Sequence, residues 1–339
     1  MRVLITGNKG YIGSVMSEYL SRNGHSVFGV DVNYFDNCFF GSPSLKFIRT
    51  QNKDVRDISK NDLVGLDAII YLSALSNDPL GEVSKESTYD INWIAAVRVA
   101  MLARESGVKR FLFASSCSMY GAGDGDSLLD EETPQKPITT YAESKVWAER
   151  SISNLANDRF SPIFFRCGTA YGVSPQHRLD LVLNAMVAGA YLNKIINVYN
   201  GGSAWRPIVH IEDISQAFNL GLISSRDKIH NQAFNVGETK ENYQVKDLAE
   251  IVKDSIPSAS IEVSNVGVDS RSYKVSFEKI KKVLGFAPKW SAKSGVLQLL
   301  NAYRDNKLET IDVDRFYIRL NRIRELISND VLDEDLRWK

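Results

Sequence analysis

The stretch Arg2-Val-Leu-Ile-Thr6-Gly7-Asn-Lys-Gly10-Tyr-Ile-Gly13 decides the fold. Val3–Thr6 is a short β-branched run without alternation, the pattern of a strand buried on both faces of a parallel sheet. A glycine cluster follows at once, and Tyr11–Asn23 then reads as a helix. In that order, the glycines let the backbone turn tightly. They also leave the first N–H groups of the helix, at its positive dipole end, free to face an anion. The spacing is GxxGxxG, and Gly7, Gly10, Tyr11, Ile12 and Gly13 are the residues expected to touch that anion.

The same rhythm continues downstream. Ser26–Val32, Leu45–Thr50, Ala68–Leu72, Phe111–Ser115 and Ile163–Cys167 are further runs of strand length, with helical patterns at Tyr89–Ser106 and Tyr141–Leu155. This βαβ order predicts an α/β protein built on a Rossmann-type, doubly wound parallel sheet. After residue 167 helices at Arg178–Lys194, Glu212–Ser224 and Val245–Ser255 alternate with short strands at Ala233–Val236 and Ser260–Val263, as in a smaller mixed α/β lobe. Residues 1–167 are therefore expected to form a dinucleotide-binding domain, with strands returning to it from later segments. Residues 168–305 mainly form the second lobe, and 306–339 a C-terminal helical extension. Within that extension Arg315, Arg319, Arg322 and Arg324 alternate with Phe316, Ile318, Leu320 and Ile323, which reads as a packing or dimer helix rather than a membrane-surface one.

The 339 residues correspond to about two structural units. Lys and Arg (41) balance Asp and Glu (41), so no net field draws the chain to nucleic acid or to an anionic membrane. Three cysteines without CxxC spacing and four scattered histidines make neither a disulfide framework nor a metal site. The chain opens directly into Val3-Leu4-Ile5 without a signal-peptide pattern, and it has no apolar run of the roughly 18 residues a membrane span needs. The expected location is the cytoplasm.

Asp31 ends the second strand, where a carboxylate accepts hydrogen bonds from an adenosine ribose and repels a 2′-phosphate. No Lys or Arg occurs from Val30 through Asn37, so NAD is favoured over NADP. Asp54 and Val55, after the third strand, lie within reach of the adenine. Ser116 ends the strand before a Gly/Asp loop, and Tyr141-Ala-Glu-Ser-Lys145 then starts a long helix. Tyr and Lys four apart share a helix face. A phenol acting as base near pH 7 must drop by about three pKa units, about 4 kcal/mol. A Lys ammonium about 4 Å away at an effective dielectric of about 20 supplies about that much.

Glycine turn, strand-end Ser116 and Tyr141–Lys145, in that order, resemble the extended short-chain dehydrogenase/reductase family of nucleotide-sugar epimerases and dehydratases. The likeness covers roughly residues 1–305, with further matches at Arg166-Cys-Gly-Thr-Ala-Tyr171-Gly172, Arg206-Pro-Ile-Val-His210-Ile-Glu-Asp213 and Leu284-Gly-Phe-Ala-Pro288-Lys-Trp290. It implies that Tyr141 is the base that takes a sugar hydroxyl proton as hydride leaves for NAD⁺. Lys145 lowers the Tyr141 pKa and holds the nicotinamide ribose, and Ser116 hydrogen-bonds the same hydroxyl. It also implies cofactor contacts at Leu72, Ser73 and Ala74, a sugar or diphosphate contact at Thr169, and a pyrophosphate clasp by Arg206 and Arg271. Arg178 is a third candidate for that clasp, or a solvated arginine at a helix start. His210, Ser115 and Ser118 are read as structural.

Relatives that eliminate water carry an Asp-Glu pair where this chain has Cys117 and Ser118, so a 4,6-dehydratase is disfavoured. The resemblance implies an NAD-dependent nucleotide-sugar epimerase working by transient oxidation at C4, like UDP-glucose 4-epimerase. A nucleotide-sugar 4-dehydrogenase of the GDP-heptose type remains open, since the Ser174–Leu181 and Asp269–Tyr273 stretches resemble such enzymes, and a non-catalytic dinucleotide-binding protein is the reading from another class. The expected partner is a nucleoside diphosphate sugar, with no metal. The family further implies a homodimer through the two long helices, with Ile91, Ile94, Val97 and Ala148 serving that surface or the core.

Overall fold

The computed structural model describes residues 1–41, 48–123, 127–265, 271–310 and 313–339. Its main sheet has seven parallel strands: β1 (Arg2–Thr6), β2 (Ser26–Asp31), β3 (Arg49–Asn52), β4 (Ala68–Tyr71), β5 (Arg110–Ser116), β6 (Ser161–Cys167) and β7 (Gln232–Val236). Their order is β7-β6-β5-β4-β1-β2-β3. The order reverses between β1 and β4, and a cleft opens at the carboxyl ends of these strands, the usual ligand crevice of such sheets.

The unalternating strands are explained by two cores. In β1, Leu4 faces one core while Val3 and Ile5 face the other; in β5, Phe111 and Phe113 oppose Leu112. The first core is covered by α2 (Ala95–Glu105) and α3 (Thr140–Ser153), the second by α1 (Tyr11–Arg22) and α5 (Ile211–Ile223). A smaller lobe packs α4 (Val182–Leu192), α6 (Val245–Ser255) and a helix at Ala292–Asp305 around Leu183, Val187, Leu248, Val252 and Leu299. Short strands at Thr169–Tyr171, Trp205–His210 and Asn242–Gln244 join it to the cleft.

Several local expectations are corrected. The strand expected at Leu45–Thr50 lies at Arg49–Asn52, while residues 45–47 fall outside the described ones. The helix expected over Tyr89–Ser106 is broken by a wide π-type turn at Asp90–Ile94. That turn sets Asn92 inside the protein, where Oδ1 accepts from Leu75 N at 2.9 Å and Nδ2 donates to Ser144 Oγ at 3.1 Å. The cleft wall and α3 are thereby stapled together, a use to which such bulges are often put. Ile91 and Ala148 belong to the first core and Val97 packs against it. Of the four residues considered for a pairing surface, Ile94 is the exposed one, at 52%. No helix among the described residues is long and apolar enough to cross a membrane.

Candidate active site

A cleft of about 780 Å³ runs between the carboxyl ends of the strands and the smaller lobe. The residues expected from the sequence to serve catalysis, cofactor or substrate all line it: the glycine turn, Asp31, Asp54, Val55, Leu72–Ala74, Ser116, Tyr141, Lys145, Thr169, Arg178, Arg206 and Arg271. The residues brought together in this way reach from Gly7 to Arg271 in the chain.

The turn after β1 has the shape of an anion cradle. Gly7 is at φ +73°, and a Cβ at Gly13 would lie 2.1 Å from Gly7 O, so the loop and α1 close up only with glycine at both places. Gly10 caps α1 without any side-chain hydrogen bond, leaving the start of the helix to a ligand. Tyr11 lines the cleft, but its hydroxyl is spent on the far wall: it donates to Gly172 O at 2.7 Å and accepts from Asn184 Nδ2 at 3.0 Å.

Asp31 accepts from Lys9 N at 2.9 Å through one oxygen and from Asn33 N at 2.8 Å through the other. A carboxylate has about four acceptor sites, so two remain for ribose hydroxyls. Burial raises its pKa, with those two N–H bonds opposing. Asp54 is differently placed. It caps the turn at Val55–Asp57, and both of its oxygens are held by the Arg56 guanidinium, at 3.0 and 2.7 Å. An uncapped helix start above a glycine cradle, with an open-handed carboxylate at the end of β2, fits a dinucleotide. Two cations invisible in the linear reading face Asp31: Lys9, from the glycine turn, and Arg319, from the C-terminal extension.

At the opposite end of the cleft, Ser116 closes β5 and α3 begins. Thr139 caps α3 by accepting from Ala142 N at 3.2 Å, which places Tyr141 and Lys145 on the face toward β5. Ser116 Oγ accepts from Ser118 N at 3.1 Å and hydrogen-bonds the Tyr141 hydroxyl. Lys145 Nζ donates to Ala114 O at 2.8 Å and sits 5.7 Å from the Tyr141 ring centre. The three side chains form a compact group. The surroundings of Tyr141 within the chain do not by themselves acidify its phenol. Burial pushes the Tyr141 pKa up, Asp78 pushes it further, and the Ser116 hydrogen bond only partly opposes them. Desolvation also lowers Lys145 itself to about 8. A dry site penalises phenolate and ammonium alike, so a cation at this range does not by itself make a base of the phenol.

On the substrate side Arg178 is buried and precedes α4 instead of starting it. Its Nε and Nη2 pair with Asp180 at 2.8 and 2.9 Å, and its Nη1 donates to Ser76 Oγ at 2.9 Å. The expectation of a solvated helix-start arginine is thus corrected. Arg271 forms an ion pair with Asp78 across the cleft, and Arg206 donates to the backbone oxygen of Arg271. Asp78 and Asp180 are missed by sequence reasoning because isolated aspartates carry no spacing signal. His210 stacks on Trp290 at 4.0 Å, and its ring accepts from Glu212 N at the start of α5, a structural role. Ser118 also lines the cleft, and its buried Oγ has no hydrogen-bond partner among the described residues.

A twofold-wound sheet with a glycine cradle, and a Ser–Tyr–Lys group facing it across one cleft, defines a dinucleotide-dependent enzyme of the short-chain dehydrogenase/reductase type. The sequence profile of the NAD dependent epimerase/dehydratase family matches residues 3–237, and the chain belongs to that family. Among curated relatives, UDP-glucose 4-epimerase of Corynebacterium glutamicum is 28% identical over 313 residues, covering 85% of this chain and 91% of that protein. Human dTDP-D-glucose 4,6-dehydratase is 25% identical over 328 residues, covering 90% of each chain. Among solved structures, MoeE5 in complex with UDP-glucose and NAD superposes with a TM-score of 0.77 at 24% identity, covering 91% of this chain and all of that one. The protein is accordingly an NAD-dependent enzyme of the nucleotide-sugar epimerase/dehydratase group.

Proposed function

We propose that the protein is a nucleotide-sugar 4-epimerase, acting on C4 of a hexose carried by a nucleoside diphosphate. The observation that carries this reading is the convergence of Ser116, Tyr141 and Lys145 in a cleft whose carboxylates are engaged elsewhere. Asp54 is held by Arg56, Asp78 by Arg271 and Asp180 by Arg178, while Asp31 lies at the opposite end of the cleft from the three side chains. Elimination across C5 and C6 needs a free acid and base beside C5. Buried Cys117 donates to Arg166 O, and Ser118 is a neutral hydroxyl, so neither supplies that pair.

Bound NAD⁺ would supply a hydride acceptor at its nicotinamide ring, and a positive charge beside Tyr141. Tyr141 then takes the C4 hydroxyl proton, while Ser116 holds the same oxygen and orients its own proton between sugar and phenol. Lys145 keeps its ammonium against Ala114 O and the Tyr141 ring, positioned to hold the nicotinamide ribose. Arg206 and Arg271, forked donors suited to a diphosphate, anchor the nucleotide, with Arg271 keeping its Nη1 pair to Asp78, and leave the 4-keto sugar free to turn and be reduced on its other face. Incubation with UDP-, GDP- and dTDP-hexoses, followed by NMR of the products, tests this. An epimer without net NADH is the expected result. Stoichiometric ketose with NADH, or a 6-deoxy-4-keto sugar, would reject it.

A further inference from the structure

Residues 313–339 fold back over one end of the cleft. After a wide turn at Val313–Tyr317, the helix Arg319–Ser328 buries Ile323 and Leu326 in the first core, and a bridge between Leu332 and Trp338 closes the remaining loop. Its polar contacts reach both walls. Trp338 Nε1 donates to Val32 O at 2.7 Å, the Tyr34 hydroxyl donates to Leu336 O, and Arg56 Nη1 donates to Asp335 O at 2.8 Å. Those contacts flank Asp31 and Asp54, the end of the cleft that takes adenosine in a sheet of this kind. On the other wall Leu179 N donates to Tyr317 O and Arg319 Nη2 donates to Gln176 O, both at 2.9 Å, beside Arg178.

Arg319 is the feature that the packing of this segment does not explain. It lines the cleft yet is only 2% exposed, and its guanidinium lies 4.0 Å from the centre of the Phe35 ring. Nη1 is buried with no hydrogen-bond partner among the described residues; the Cys38 thiol beside the guanidinium is a weak acceptor only. No carboxylate among the described residues forms an ion pair with it. A buried, incompletely paired arginine is costly unless an anion completes it. We propose that residues 313–339 are a strap that closes over the adenosine half of NAD. Arg319 is its charged contact to the anionic backbone of the dinucleotide, and the cofactor therefore stays in place through turnover.

The pKa of Arg319 is lowered to about 10 by burial first and then by the charge of Arg178, two effects that an arriving pyrophosphate would offset. The proposal rests on the 4-epimerase reading and deepens it. A cofactor that cannot leave must return its hydride to the sugar, so the strap favours epimerisation over net oxidation with cofactor exchange.

Release of NAD from the purified enzyme, followed by exchange with labelled NAD, tests the strap without reference to turnover. Arg319→Gln loses one charge-assisted contact and should release NAD roughly 10- to 100-fold faster. A folded variant that releases NAD at the wild-type rate would overturn the proposal. Hydrogen–deuterium exchange on the wild-type protein is independent of any variant. Residues 313–339 should gain protection when NAD is added, and unchanged protection there also overturns it. The two readings separate cleanly: failure of the 4-epimerase assignment appears in the product, and failure of the strap appears in the release rate.

Discussion

Replacing Lys145 by Met should make the NAD-free protein more stable at neutral pH while destroying its activity. The buried ammonium has its pKa lowered from 10.5 to about 8 by desolvation. Held protonated at pH 7, it carries about 3 kcal/mol of unfavourable free energy. Between about pH 8 and 10.5 the unfolded chain binds this proton and the folded one does not, so wild-type stability rises with pH across that window. Methionine removes the penalty but leaves Ala114 O without its donor, at a cost of about 1–2 kcal/mol. The variant should therefore be more stable by roughly 1–2 kcal/mol at pH 7 and less stable by a similar amount at pH 10.5. Urea unfolding of both NAD-free proteins at the two pH values measures the difference directly. An offset that is the same at both, or a variant weaker at pH 7, would refute the argument that the cleft penalises this charge.

Tyr141→Phe should lower turnover by about 10²- to 10⁴-fold while NAD still binds in equilibrium dialysis; retained turnover would remove Tyr141 from the chemistry. Arg271→Ala should raise KM for the nucleoside diphosphate sugar roughly 10- to 100-fold with a smaller change in kcat, a split that steady-state kinetics reads. Glu149→Gln leaves Arg166, buried beside it at 2.8 Å, without its counter-charge, and thermal unfolding should show a loss of about 3–5 kcal/mol. A dimer built on the long helices would use exposed Ile94, Met101 and Trp147, so Ile94→Glu with Trp147→Glu should halve the mass read by light scattering; a wild-type mass that is already that of one chain would refute such a pairing.

The sheet and the cradle are legible because their signals are local. Val3–Thr6 reads as a buried strand from its unalternating β-branched run, and Tyr141 with Lys145 are picked out by helical spacing taken together with the glycine turn and strand-end Ser116 before them. Other features depend on what arrives from elsewhere in the chain. The π-type turn at Asp90–Ile94 follows from where Asn92 can reach Leu75 and Ser144, which no periodicity encodes. Arg178 has the same sequence neighbours whether solvated or buried, and Asp180 with Ser76 decides the matter in three dimensions. The absence of Lys and Arg from residues 30–37 was informative about the strand end but not about its surroundings, since Lys9 and Arg319 supply charge there from outside that window. The acidity expected of Tyr141 rests on the charge of Lys145 at an effective dielectric of about 20 and leaves out the desolvation of the phenol, which is the largest effect on it.

The outermost strand β7 comes from Gln232–Val236 and pairs with β6 from Ile163 to Cys167. During synthesis β6 leaves the ribosome some seventy residues before this neighbour, and until then it has an open edge available to other chains. A nascent chain halted anywhere in that interval would hold most of its nucleotide cradle and still lack a finished sheet. Folding of the first half is therefore timed by the second, and translational pausing shortly before Gln232 should be the condition under which this protein aggregates most readily.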